Sequence, residues 1–129
     1  MLLNLTDLSS ESLQSQIARQ IRALILAGEL MPDSSLPSIR ALATEQKVSV
    51  ITVQRAYEHL LREGLIHSRR GKGFFVSYLK KDEKKSMAQE RLLQNLESHI
   101  SGALNEGLQA NEIKAMVELI LKKNGERKK

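Results

Sequence analysis

The sequence predicts a mostly α-helical chain with one small β-hairpin and a second, shorter helical region after it. Three observations predict this. Apolar residues recur at helical spacing over most of the chain, as at Leu13, Ile17, Ile21, Leu24 and Ile25. Two short apolar runs flank a basic, glycine-containing turn at Arg69-Arg70-Gly71-Lys72-Gly73. Trp is absent and there are only two Phe and two Tyr, so Leu, Ile, Val and Ala must fill the core, which favours packed helices.

The first helix is expected over Ser10–Ala27, with Gly28 as a left-handed cap. A loop over Gly28–Pro37 holds both prolines of the chain. Ser38 then stands where an N-cap belongs, and a second helix runs to Gln46 with Ile39, Leu42 and Ala43 inward. Lys47 and Val48 make a turn, and Ser49 caps a third helix ending at Gly64. Val53, Ala56, Tyr57, Leu60 and Leu61 share its inner face, and Ile51, Gln54, Arg55, Glu58 and Arg62 lie mostly on the other. Strands are expected at Leu65–Ser68 and Phe74–Ser77. Two short helices, a turn and a hairpin in this order are the plan of a winged helix-turn-helix.

Lys80–Lys85 is a charge run without an apolar residue, a hinge or an exposed helix start. Leu93, Leu96, Ile100 and Leu104 mark a fourth helix of about 20 residues ending near Gly107. A fifth begins at Gln109 or Asn111, with Ile113, Met116, Val117, Ile120 and Leu121 inward. Gly125, Arg127, Lys128 and Lys129 read as a frayed tail. The expected domains are therefore residues 1–79, a winged helix-turn-helix, and residues 80–129, a short helical region.

The chemistry points to DNA. Net charge is +5, from 20 basic and 15 acidic residues, which suits a polyanion without establishing one. The helix starts at Ser38 and Ser49 offer backbone N–H groups and a positive dipole end to phosphate. Arg40, in the first turn of the second helix, can reach a phosphate or a guanine edge, or be an ordinary surface arginine. At the start of the third helix Thr52 can bond a phosphate, Gln54 can pair with adenine, and Ile51 can pack on a thymine methyl. Val50 suits either burial or the groove, and Arg55 either phosphate or Glu58; the residues leave both open. Arg69, Arg70 and Lys72 around Gly71 and Gly73 form a basic tip fit for a minor groove or phosphate.

Other classes find little support. Without cysteine there are no disulfides or thiolate metal sites, and His59, His67 and His99 lack metal-ligand spacing. No nucleophile–base set and no GxxxxGK[ST] loop is present, so neither catalysis nor a cofactor is expected. No apolar run spans a bilayer and the start is not a signal peptide, so the expected location is cytoplasmic, away from membranes.

Residues 10–77 resemble the GntR family of bacterial transcription regulators. The resemblance lies in Gln16-Ile17, Gln20-Ile21, Gly28-Glu29-Leu30, Leu36–Ala43, Thr52-Val53, Arg55-Ala56-Tyr57, Gly64-Leu65-Ile66 and Gly71-Lys72-Gly73 before Val76. It implies a homodimer on a palindromic double-stranded operator, more often repressing, with DNA contacts at Arg40, at the start of the third helix, and at Arg70 and Gly71. One departure stands out: where the family usually has arginine and a polar residue after the capping serine, this chain has Val50 and Ile51. With about 50 residues after the wing, the chain is similar to the YtrA subfamily, whose C-terminal helices dimerise. Two amphipathic helices cannot bury both stripes alone, so Leu93, Leu96, Ile100, Leu104, Ile113, Met116, Val117, Ile120 and Leu121 are expected to meet a second copy. A small-molecule effector is left open, since no residue names one. The competing readings are a winged-helix protein–protein adaptor and a non-specific DNA binder.

Overall fold

The computed structural model describes residues 1–125. Arg127, Lys128 and Lys129 of the expected tail lie outside them. The elements run α1 (Leu13–Leu26), α2 (Ile39–Gln46), α3 (Val50–Arg62), β1 (Ile66–Arg69), β2 (Gly73–Val76), α4 (Lys81–Asn105) and α5 (Ala110–Gly125). They fall into two compact units, Met1–Lys85 and Ser86–Lys129. The expected winged-helix order is thus present, with helices predominating over a two-stranded antiparallel sheet.

In the first unit Ile17, Ile21 and Ile25 of α1, Leu42 and Ala43 of α2, and Val53, Ala56, Tyr57 and Leu60 of α3 form the core with Leu65, Ile66 and Val76. Aliphatic stripes at helical spacing put these side chains on one face of each helix, and burying them supplies most of the driving force. The first helix starts later than Ser10, because Ser12 is its N-cap, its Oγ accepting from Ser15 N–H at 3.2 Å. Gly28 follows with φ +81°, as its place beyond the helix end suggests. The third helix stops at Arg62, two residues before Gly64.

Gln16 is a polar member of the core, 1% exposed. Its amide is fully engaged: Oε1 accepts from Thr6 N–H at 3.0 Å, while Nε2 donates to Thr6 O at 2.8 Å and to Glu11 O at 2.9 Å. One turn later Gln20 exchanges an equivalent pair with Asn4, both at 2.8 Å. Spaced i, i+4 on α1, the two amides grip alternate residues of the N-terminal segment as a neighbouring strand would.

The hairpin is displaced one residue from the expected strands. Arg69 pairs with Gly73 in the ladder, leaving Arg70, Gly71 and Lys72 as the tip. The expected loop before α2 is partly sheet: Leu36 N–H bonds Phe74 O at 2.8 Å and Val76 N–H bonds Ser34 O at 2.9 Å, covering the far edge of β2.

The helix α4 absorbs most of the charge run at the end of the first unit, starting at Lys81 after a Lys80 N–H bond to Glu83 Oε1 at 3.2 Å, and continues into the second unit. It has 25 residues rather than about 20. Gln109 precedes α5 in the same way, its N–H bonding Glu112 Oε1 at 2.9 Å, and Gly125 lies within that helix rather than in a tail. No residue of either helix is buried among the described residues. No helix of the described residues is long and apolar enough to cross a membrane.

Candidate nucleic-acid interface

The reading head is built on two capped helix starts. Ser38 Oγ accepts from Ala41 N–H and Ser49 Oγ from Thr52 N–H, each at 3.1 Å. Between the helices Lys47 takes the left-handed conformation, φ +57°, which lets the chain reverse within two residues. Thr52 Oγ1 lies 2.8 Å from Ser49 Oγ, so the two hydroxyls form one polar cluster at the start of α3.

Tyr57 ties the pieces together. Its hydroxyl donates to Pro37 O at 2.7 Å, immediately before the α2 cap, and its ring meets Phe74 of the hairpin edge-on at 5.0 Å. Burial, with a smaller contribution from the Glu45 carboxylate, pushes the phenol above its ordinary value. The first residue of α2, the middle of α3 and the hairpin consequently line one open cleft of ≈ 330 Å³, bounded by Ile39, Gln54, Tyr57, Glu58, Leu61, Ser68 and Phe74.

The candidate residues Ser38, Arg40, Ser49, Ile51, Gln54, Arg55, Arg69, Arg70, Gly71, Lys72 and Gly73 are all exposed, and Thr52 is half-buried. Val50 is 47% exposed and Ile51 56%, which resolves the choice for Val50: it lies on the outer face with Ile51. Arg55 makes no pair with Glu58. That carboxylate instead accepts from Gln54 Nε2 at 3.4 Å.

The wing cations divide into two kinds. Arg69 donates to Asp33 Oδ1 at 3.0 Å and lies over the Phe75 ring at 4.3 Å, so it is held at the base of the hairpin. Arg70 and Lys72, like Arg40 and Arg55, form no ion pair with a described residue. Lys72 N–H closes the tip on Arg69 O at 2.9 Å, with Gly71 at φ +74° where an L side chain is strained. Sequence reasoning missed Asp33, Phe75 and the Tyr57 hydroxyl as organisers of this surface; the aromatic pair before Val76 was the one signal available for them.

In the second unit Leu93, Leu96, Leu104, Met116, Val117, Ile120 and Leu121 are exposed, and Ile100 and Ile113 half-exposed. Leu92, Leu108 and Leu119, absent from the expected stripes, are exposed as well.

Comparison with known proteins gives this geometry its setting. Residues 13–76 match the family described as bacterial regulatory proteins, gntR family. The HTH-type transcriptional repressor YtrA of Bacillus subtilis is 37% identical over 99 residues, covering 73% of this chain and 76% of that protein. The uncharacterised regulator YhcF of the same organism is 41% identical over 69 residues, 54% of this chain, which spans little more than half (57%) of that relative. Among solved structures, a GntR family transcriptional regulator from Listeria monocytogenes superimposes with TM-score 0.70 at 29% identity, covering 88% of this chain and 97% of that one. YtrA from Sulfolobus acidocaldarius, a GntR-family transcription factor, does so with TM-score 0.55 at 31% identity, covering 94% and 97%. The chain belongs to the GntR family of DNA-binding transcriptional regulators and is a YtrA-like member of it.

Proposed function

We propose that this regulator is a homodimeric, cytoplasmic repressor that reads a palindromic operator, with residues 1–79 as the reading domain and residues 80–129 as the pairing region. The observation that carries the reading is one unit that presents both an exposed α3 start and a hairpin tip whose Arg70 and Lys72 form no ion pair with a described residue. Phosphates would be taken by the N–H groups at Ser38 and Ser49, by Arg40, Arg55 and Thr52, and by Arg70, Lys72 and the glycine-lined tip; Arg69 would hold the tip in place. Ile51 would face thymine methyls and Gln54 a base edge, with Val50 beside them.

The pairing region supports a second copy as partner. Alone, it leaves both apolar stripes in water, and an identical pair of helices buries them while placing two reading heads on two half-sites. Repression follows the name of the YtrA relative.

Selection of bound duplexes from a random pool, followed by titration in rising salt, tests this. The expected result is one palindrome preferred over scrambled DNA by roughly 10³ or more, with affinity falling steeply as salt rises. Equal affinity for every duplex would mark a non-specific binder, and no binding at all would favour a protein-docking adaptor; either result refutes the proposal.

A further inference from the structure

We propose that Glu58 is a positioning residue that sets which way the Gln54 amide faces, and so selects amino bases over keto bases at the position Gln54 reads. The inference rests on the proposed DNA reading and deepens it.

Free glutamine amides flip readily, and the two orientations have opposite meanings in a major groove. With Oε1 outward the group accepts from adenine N6 or cytosine N4; with Nε2 outward it donates to guanine O6 or N7 or to thymine O4. Here Gln54 and Glu58 stand i, i+4 on the exposed side of α3, and Gln54 Nε2 donates to Glu58 Oε1 at 3.4 Å. A carboxylate only accepts, so the flipped amide would set Oε1 against a negative oxygen and lose the bond. The pair therefore keeps Nε2 on the Glu58 side and fixes the order of the amide, Oε1 as acceptor beside the second Nε2 hydrogen as donor, which matches adenine N6 and N7 and sets Oε1 against a guanine O6. Among the described residues no cation pairs with the carboxylate: Arg55 makes no pair with it, and Arg62 is engaged with His59 Nδ1 at 2.9 Å. Both side chains also border the open cleft that Ser68 and Phe74 of the hairpin line from the other side.

The test compares base preference, position by position, for the full-length protein and three variants, using duplexes selected by the wild type and their single-base changes. Gln54→Ala should lose discrimination at one position per half-site. Glu58→Ala should relax amino-over-keto preference there by about fivefold or more, the amide now being free to flip. Glu58→Lys should invert it, because an ammonium takes Oε1 and leaves Nε2 outward; its added charge alters overall affinity, so only the ratio between bases is read. Both side chains are exposed, and circular dichroism checks that each of the three variants folds. If Gln54→Ala loses discrimination while Glu58→Ala and Glu58→Lys keep the wild-type preference, or if Gln54→Ala changes no position, the inference is overturned with the DNA reading intact. A wild type indifferent to sequence overturns the DNA reading itself.

Discussion

Removing one oxygen at the centre of the reading head, by Tyr57→Phe, tests whether that head is organised as described. The hydroxyl is buried and donates to Pro37 O at 2.7 Å, and the ring packs against Phe74 at 5.0 Å. Phe preserves the ring contact, so the loss is confined to one hydrogen bond and an unsatisfied carbonyl. That costs about 1–2 kcal/mol, or very roughly 5–15 °C in Tm for a unit of this size. The pH dependence gives a second readout with a definite sign. Burial raises the phenol of the folded state above its ordinary value, so folding favours the protonated form. Its stabilising share is complete below about pH 10, where the unfolded phenol ionises, and is lost as pH climbs towards the folded value. The stability of the wild type should therefore fall above about pH 10 more steeply than that of Tyr57→Phe, by up to about 1.4 kcal/mol per pH unit. Urea titrations from pH 7 to 11 at fixed protein concentration measure both effects. Identical alkaline slopes for the two proteins, or a difference under about 0.3 kcal/mol at pH 7, would refute the assigned role of the hydroxyl.

Other substitutions separate anchoring from reading. Arg70→Ala and Lys72→Ala should each weaken binding to all duplexes alike and lower the slope of log affinity against log salt by about 0.9, measured by fluorescence anisotropy. Ser49→Ala removes the α3 cap and should cost about 1 kcal/mol in urea unfolding. Lys47→Gly relieves the left-handed residue of the turn and should raise stability by about 0.5–1 kcal/mol. Combining Ile113→Asp with Ile120→Asp should give a monomer in light scattering and abolish the preference for a palindrome over its half-site; a dimer of unchanged size would reject the pairing role.

Side-chain periodicity made the helices legible, because each apolar stripe needs a single buried face and the capping serines mark where α2 and α3 start. It failed where main-chain bonds decide. The pairing of residues 33–36 with β2 runs through backbone groups that any residue carries, so the segment around Pro32 and Pro37 read as plain loop. Leu65 read as strand because it is apolar, yet its N–H bonds Leu60 O at the exit of α3, which moves the ladder one residue on. Gln16 breaks an apolar stripe, and its partners are the backbone of a segment upstream with no distinguishing side chains. Val50 was undecidable from pattern because the first turn of a helix has no earlier turn against which to measure its face. In the candidate site, residue types located the exposed surface, but the division of the wing cations was hidden: Arg69 meets Asp33 across 36 positions of sequence, a separation no local motif encodes.

That division bears on how such a surface would discriminate between sequences. Arg40, Arg70 and Lys72 are point or forked charges suited to phosphate, and phosphate contacts add affinity to every duplex equally. At the α3 start, Val50 and Ile51 offer only apolar surface, which distinguishes a thymine methyl but leaves the hydrogen-bonding edges of the other bases unread. With Arg55 given to phosphate in the proposed reading, Gln54 would carry the polar discrimination among the outward residues of the first two turns, and an amide free to flip would carry little, since it can satisfy either class of base. A reading head with so few base-directed groups therefore depends on holding that amide in one orientation. Placing an arginine directly after the capping serine, as Val50→Arg, should raise affinity for guanine-bearing sites and make Glu58 less important, whereas the chain as it stands should lose its amino-over-keto preference at the Gln54 position once the carboxylate is removed.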